Sequence, residues 1–194
     1  NHLLNKVDEL ALVTTKSSIV AITETWLSSD VPDCACAISG YNLWRKDRAT
    51  GPGGGVAIYV DSDYCTRRVS ELEVDDLEVL WVTIRPKLLP RPLSILVVAV
   101  IYCPPWYNAE CKNRLNKYII SCLDRMLIKY PDAAIYVMGD FNMLDCSAFT
   151  RSMRFSQVVK TATRGGNILD KLFTNCPQYY ESAVILPPIG KSDH

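Results

Sequence analysis

Seven polar residues stand at or beside the ends of apolar runs: Glu24, Tyr102, Asp140, Asn142, Asp170, Asp193 and His194. Their chemistries complement one another. Carboxylates are oxygen ligands for Mg²⁺, which takes one or two of them and keeps waters and substrate phosphate oxygens in its shell. An Asn amide donates a hydrogen bond to a phosphoryl oxygen. A His with an Asp partner is an oriented acid or base near neutral pH. Such a set is suited to metal-assisted attack of water on a phosphodiester.

The elements that must bring these groups together are legible as apolar runs. Residues 134–142, AIYVMGDFN, form the central one. Its apolar stretch predicts a strand covered on both faces. Gly139 is expected to turn the chain sharply, presenting Asp140 and Asn142 just past the strand's carboxyl end. Ligand groups of layered α/β proteins gather there. Glu24 follows a short strand over 19–22, and Tyr102 closes a strand over 93–102. Another strand over 79–84 precedes the latter. Pro86, Pro90 and Pro92 between them exclude a continuing helix and favour antiparallel pairing. Asp170 lies inside a strand expected over 168–173, and further strands are expected over 56–60, 157–163 and 182–186.

Residues 110–130 repeat apolar side chains at three- and four-residue spacing with Lys and Arg opposite, an amphipathic helix stopped by Pro131. Residues 3–15 and 145–153 read as shorter helices, the second capped by Asp145 or Ser147. Residues 28–52 read as a loop-rich excursion. Gly53, Gly54 and Gly55 have neither a helix nor a Lys-Ser/Thr pair after them, so they are not a P-loop. They are expected to allow close backbone approach at a strand start. About eight strands, two or three helices and short turns predict mixed sheets packed together with helices outside.

One domain spanning 1–194 is the simplest reading, since a chain of this length buries about 70 % of its unfolded surface. Lys plus Arg and Asp plus Glu number 21 each, which excludes a strongly basic nucleic-acid coat but not a local basic groove. Arg45, Lys46, Arg48, Arg151, Arg154 and Arg164 are candidates for gripping DNA phosphates, with Arg164, before its Gly-Gly turn, first among them. Trp26, Trp44 and Trp106 read as core or rim packing rather than base-stacking groups. The cysteines include no CxxC pair and, with two histidines, give no zinc spacing. They read as reduced thiols of an intracellular protein. No apolar run reaches the ~20 residues of a membrane helix.

Thr23-Glu24-Thr25-Trp26-Leu27, Gly53-Gly54-Gly55 with the following VAIYV, Ile101-Tyr102-Cys103-Pro104-Pro105, Gly139-Asp140-Phe141-Asn142, Leu169-Asp170 with Phe173-Thr174-Asn175, and Ser192-Asp193-His194 occur in that order. The set resembles the endonuclease/exonuclease/phosphatase superfamily over nearly the whole chain. Its wording is most similar to the apurinic-type endonuclease domain of LINE-type (non-LTR) retrotransposons. The resemblance implies an α/β (α+β) fold, a four-layer α/β/β/α sandwich of two mixed β-sheets flanked by helices. It implies a Mg²⁺-dependent endonuclease, with Mn²⁺ as a substitute, that nicks one strand of double-stranded DNA in the nucleus. The 3′-hydroxyl left behind primes reverse transcription by a covalently linked downstream domain. No membrane is involved.

Carried over by position, the resemblance makes Glu24 the metal ligand and places Asp193 beside metal and phosphate. Asp140 and Asn142 position or activate water and hold the phosphate, Tyr102 contacts the phosphate, and Asp170 orients His194. Whether Asp140 or His194 takes the water's proton stays open. A carboxylate in a strand interior needs a partner, which gives Asp170 an independent reason to meet His194. Arg48 and Arg164 are the DNA-binding candidates. In the family a strand ending in a binding Asn precedes the first helix, and another strand follows the Asp-His pair. The chain is therefore expected to be cut at both ends and weakly active without its flanks. The alternatives are an inositol-phosphate or sphingolipid phosphodiesterase or phosphatase of the same superfamily, or an inactive nucleic-acid-binding remnant.

Overall fold

The computed structural model describes residues 3–190, so Asp193 and His194 lie outside the described residues. After a 3₁₀ turn, Leu3–Lys6, the elements are α1 (Val7–Thr14), β1 (Ile19–Thr23), β2 (Tyr41–Lys46), β3 (Val56–Asp61), β4 (Cys65–Arg68), β5 (Glu78–Arg85) and β6 (Ile95–Tyr102). Then follow α2 (Ala109–Lys129), β7 (Ala133–Asp140), α3 (Ser147–Met153), β8 (Ser156–Gln157) and β9 (Asp170–Thr174). None of the described helices is long and apolar enough to cross a membrane.

The strands form two sheets. The larger runs β4-β5-β6-β7-β9-β8, and the smaller runs β1-β3-β2. The larger is mixed: β6 and β7 pair in parallel, and its other pairings are antiparallel. The smaller is antiparallel throughout, which refines the expectation of two mixed sheets. A parallel pair needs a long crossover, and α2 supplies it. Asn108 starts that helix, its side chain accepting the Cys111 N–H at 2.8 Å.

Three apolar clusters separate four layers. Leu115, Ile119, Leu123 and Met126 of α2 pack on Val79, Trp81, Val97, Ala99 and Val137 of the large sheet. Leu80, Val82, Val98 and Val100, on the sheet's other face, pack on Val56, Ile58 and Val60 of β3. Leu10 of α1 joins Tyr59 on the outer face of the small sheet. Alternate residues of one strand thus feed different cores, which is why β3, β5, β6 and β7 read as nearly unbroken apolar runs.

Several sequence expectations shift. The 28–52 excursion contains β2, and β4 falls where no strand was expected. Both are sheet edges, and their polar content (Asn42, Arg45, Lys46; Thr66, Arg67, Arg68) suits an edge but hides the period of two. The strand expected over 157–163 shrinks to Ser156–Gln157. Residues 182–186 form no strand; Val184 is 79 % and Leu186 68 % exposed, so the apolar run has no ladder to join. Asp170 is the first residue of its strand rather than an interior one.

Gly139 does not turn the chain. It lies inside β7 opposite Ile101, and a Cβ placed on it would meet the Ile101 carbonyl oxygen at 2.1 Å. Its φ of 133° lies where side chains are rarely tolerated. Gly139→Ala therefore has to force β6 and β7 apart, and chemical denaturation should show a loss of at least about 2 kcal/mol.

All eight cysteines are free thiols. Burial pushes the Cys103 thiol up to about 11 and the Cys146 thiol to about 12, so neither forms thiolate at pH 8. An aromatic disulfide reagent at that pH should label exposed Cys34 and Cys65 quickly and Cys111 more slowly. Cys36, Cys103, Cys122, Cys146 and Cys176 should react only after unfolding; rapid labelling of Cys103 in the folded protein would contradict the packing described.

Candidate active site

The strand registers align four polar side chains. Glu78 of β5 is opposite Tyr102 of β6, Tyr102 is opposite Asp140 of β7, and Asp140 is opposite Asp170 of β9. Directly opposed residues project from the same face of a sheet. Tyr102 belongs to the core between the sheets, so the row runs along the rim of the inner face. With strands ~4.8 Å apart it spans about 15 Å.

Glu24 meets this row from the small sheet. It follows the last residue of β1, and its carboxylate accepts hydrogen bonds from the Tyr102 hydroxyl and, at 3.4 Å, from the Trp26 indole N–H. Burial pushes the Tyr102 hydroxyl above the ordinary phenol range. The hydrogen bond to Glu24 and the negative charges of Glu24, Asp140 and Glu78 push it further. Tyr102 is therefore a neutral donor at every physiological pH.

Asp140 and Asn142 act as one unit. Asp140 is 3 % exposed, and its Oδ1 accepts the Asn142 backbone N–H at 2.8 Å. The Asn142 amide nitrogen donates to the Cys103 carbonyl at 2.9 Å and to Asp140 Oδ2 at 3.2 Å. With both N–H groups directed inward, the orientation of the amide is set by its partners. Between them Phe141 points the opposite way, its ring 5.4 Å from Phe173, which is 4.8 Å from Phe149. This aromatic stack anchors the loop from behind.

The glycine triplet builds the third side. Thr25 N–H and Trp26 N–H donate to the carbonyls of Gly55 and Gly54. A Cβ on Gly54 would strike the Glu78 carboxylate and the Arg48 guanidinium, and one on Gly55 would strike the Thr25 hydroxyl. The expected close backbone approach is present, and it is made around a charge pair. Glu78 accepts the Gly55 N–H and pairs with Arg48 Nη2 at 2.6 Å. Sequence reasoning missed Glu78 because an acid at the start of an apolar run resembles a solvated strand end. The clue was the antiparallel pairing, which sets the start of β5 beside the end of β6.

Among the sequence candidates, Glu24, Tyr102, Asp140, Asn142 and Asp170 come together at this rim. Asp170 and Leu169 donate their backbone N–H groups to the Thr163 hydroxyl, and Arg164 opens the adjoining turn, bridged to Asn167. Arg151 and Arg154, on and just after α3, are exposed, whereas Arg45, Lys46 and Arg48 are engaged internally. Arg48 also donates to the Pro52 carbonyl at 2.7 Å, Lys46 donates to the carbonyls of Val74 and Leu77, and Arg45 pairs with Asp33. Among the described residues no group of three or more His, Cys, Asp and Glu forms a closed metal cage. Mg²⁺ needs fewer protein ligands than that. The donor set here is oxygen-rich, with the Glu24 and Asp140 carboxylates both close enough to act on Tyr102, and suits a hard divalent cation.

The Glu78–Arg48 pair makes a stability prediction. Glu78→Ala leaves a mostly buried guanidinium and the Gly55 N–H without their partner, a loss of about 3 kcal/mol. Adding Arg48→Ala should recover part of it. If urea denaturation shows the two losses to be additive, the pair is not coupled as drawn.

No protein-family model matches the sequence, and no curated protein matches it significantly. Solved structures do. The endonuclease domain of TRAS1, a telomere-specific non-LTR retrotransposon, has a TM-score of 0.62 and 16 % identity, covering 89 % of this chain and 79 % of that one. The endonuclease/exonuclease/phosphatase protein from Bacteroides vulgatus has a TM-score of 0.58 and 15 % identity, covering 87 % and 78 %. The 3′ phosphatase NExo from Neisseria, solved with a product DNA hairpin, has a TM-score of 0.57 and 14 % identity, covering 90 % and 83 %. At these identities the likeness speaks for architecture, and it agrees with the two packed sheets and flanking helices: the chain has the fold of the endonuclease/exonuclease/phosphatase superfamily.

Proposed function

We propose that this chain is a phosphodiesterase that uses Mg²⁺ to nick one strand of double-stranded DNA. The observation that carries the reading is the seating of Glu24 on Tyr102, level with Asp140 and its bonded Asn142, at the rim where the two sheets meet. The fold shared with a retrotransposon endonuclease domain and with a phosphatase crystallised on DNA supports it.

Glu24 would hold the metal together with Asp140 or Asn142. Bound Mg²⁺ supplies charge to neutralise the phosphate and lowers the pKa of water. The chain's own residues do the rest. Tyr102, kept neutral, fixes the Glu24 carboxylate with its one O–H and would contact the phosphate only on releasing it. Asn142, whose two amide N–H groups are held by Cys103 and Asp140, would present its Oδ1 as a further oxygen ligand and hold the phosphate only on releasing one of them, while Asp140 receives or directs the proton of the attacking water. Water adds to phosphorus, the bond to the 3′ oxygen breaks, and that oxygen leaves with a proton as the 3′-hydroxyl. Asp193 and His194 belong to the same proposal, Asp193 beside the metal and His194 as an acid or base oriented by Asp170. The 3′-hydroxyl is the end that a covalently linked reverse transcriptase would extend on chromosomal DNA in the nucleus. Mn²⁺ should substitute for Mg²⁺.

Supercoiled plasmid tests this. The chain should convert it to the open circle with Mg²⁺ or Mn²⁺ and stop when the metal is chelated. The nicks should be extendable by a polymerase without prior phosphatase treatment. Glu24→Gln and Asp140→Ala should each slow nicking by about 10²-fold or more. Unchanged nicking by Asp140→Ala sinks the assignment, and faster hydrolysis of an inositol polyphosphate or of sphingomyelin than of plasmid would transfer the site to that substrate.

A further inference from the structure

Beside the row lies a cavity of about 600 Å³, bordered by Arg48, Pro52, Asp75, Asp76, Trp106 and Tyr107 among others. Trp106 follows the Pro104-Pro105 pair just after β6, and of the core or rim places expected from sequence it occupies the rim. Its side chain is 66 % exposed. It is nonetheless held in place: the Arg48 guanidinium lies 5.1 Å from its ring centroid, and that guanidinium is fixed by Glu78 and by the Pro52 carbonyl. The same guanidinium lies 5.9 Å from the Tyr102 ring. One cation therefore couples the exposed indole to the candidate catalytic row.

A large aromatic surface that is exposed and backed by a cation can serve as a stacking platform. The charges around it select the occupant. Glu78 offsets Arg48, and the carboxylates of the lining, Asp47, Asp75, Asp76 and Glu78, outnumber its cations, Lys46 and Arg48. Asp75 and Asp76 stand at its border, Asp76 with one carboxylate oxygen paired to Arg114. That border disfavours phosphate and offers acceptors to the N–H edge of a base. We propose that Trp106, backed by Arg48, stacks an unpaired nucleobase of the strand whose phosphate lies at the Glu24–Asp140 site. A base bearing an exocyclic amino group is favoured over thymine. The inference rests on the nuclease reading and adds to it the position at which the strand must be unstacked. A duplex that opens easily beside the nick is then the better substrate.

The test uses an eight-nucleotide single strand with 2-aminopurine at its centre, titrated into the Asp140→Ala chain. Stacking on Trp106 should quench the fluorophore. Trp106→Ala, at an exposed position, should weaken binding ~5- to 150-fold, the range for removing one stacked base, and abolish the quench. Trp106→Phe should retain most of both. With an abasic residue in place of the fluorophore, Trp106→Ala should bind as tightly as its parent. Equal binding and quenching with and without Trp106 overturns the platform, and so does an equal loss on the abasic strand, which would mean a phosphate contact. Plasmid nicking by the otherwise unaltered chain separates the two readings. Nicking without Trp106-dependent quenching overturns the platform alone, quenching without nicking overturns the nuclease reading alone, and the absence of both overturns both.

Discussion

The pairing of β6 with β7 is the constraint on which the site depends. Gly139 lets the β7 backbone pass under the Ile101 carbonyl where a methyl group has no room. The apolar alternation holds the register there: Ile101 and Val137 face α2, while Val100 and Met138 face the small sheet. A slip by one residue would turn every side chain of a strand to the opposite face. It would send Asp140 toward the helix layer and Phe141 toward the site. The row of Glu78, Tyr102, Asp140 and Asp170 thus follows from the register that apolar packing on both faces imposes on β6 and β7. The chemistry is positioned by hydrophobic pattern, and the hydrogen bonds among the polar groups refine it.

Backbone strain is concentrated where the two sheets meet. Glu24, Trp26 and Asn142 have φ of 54°, 55° and 45°, in the left-handed region that costs a non-glycine residue about 1–2 kcal/mol. Arg154, the fourth such residue, merely ends α3. At Glu24 and Trp26 the strained backbone is tied by the bonds to Gly54 and Gly55, whose own positive φ brings their carbonyls into place. At Asn142 the carboxylate of Asp140 captures the N–H of the turn. In each case a neighbouring element holds the conformation, so a loop end becomes as defined as a strand.

The sequence made the buried half of this molecule legible and left much of the surface obscure. β3, β5, β6, β7 and α2 could be read because burial on both sides removes ambiguity from their patterns. Arg45, Lys46 and the residues of β4 could not, because an edge strand satisfies solvent on one side and obeys no strict alternation. The 182–186 run shows the converse error, since β-branched composition does not make a strand without a partner. In the site, groups at the ends of apolar runs were readable one by one. Their mutual distances were not, because those come from register. Glu78 became visible only when the antiparallel pairing of β5 and β6 placed it beside Tyr102. Arg48 was legible as a cation near the rim, but its bonds to Glu78 and its place against Trp106 come from register and packing.

Charge balance explains why a brace is needed there. Glu24, Glu78, Asp140 and Asp170 put four carboxylates at one rim, three of them close enough to act on the same tyrosine. Arg48 answers Glu78 and leaves it outside the chemistry. Tyr102 gives Glu24 a hydrogen bond but no charge, and Asn142 does the same for Asp140. In the proposed reading a phosphodiester approaching this rim would meet these carboxylates, and a bound divalent cation would offset their charge. In the proposed reading the division of labour follows from that balance. The carboxylate braced by Arg48 is structural, and Glu24, held by the neutral Tyr102 hydroxyl and Trp26 indole, would keep its charge for the metal.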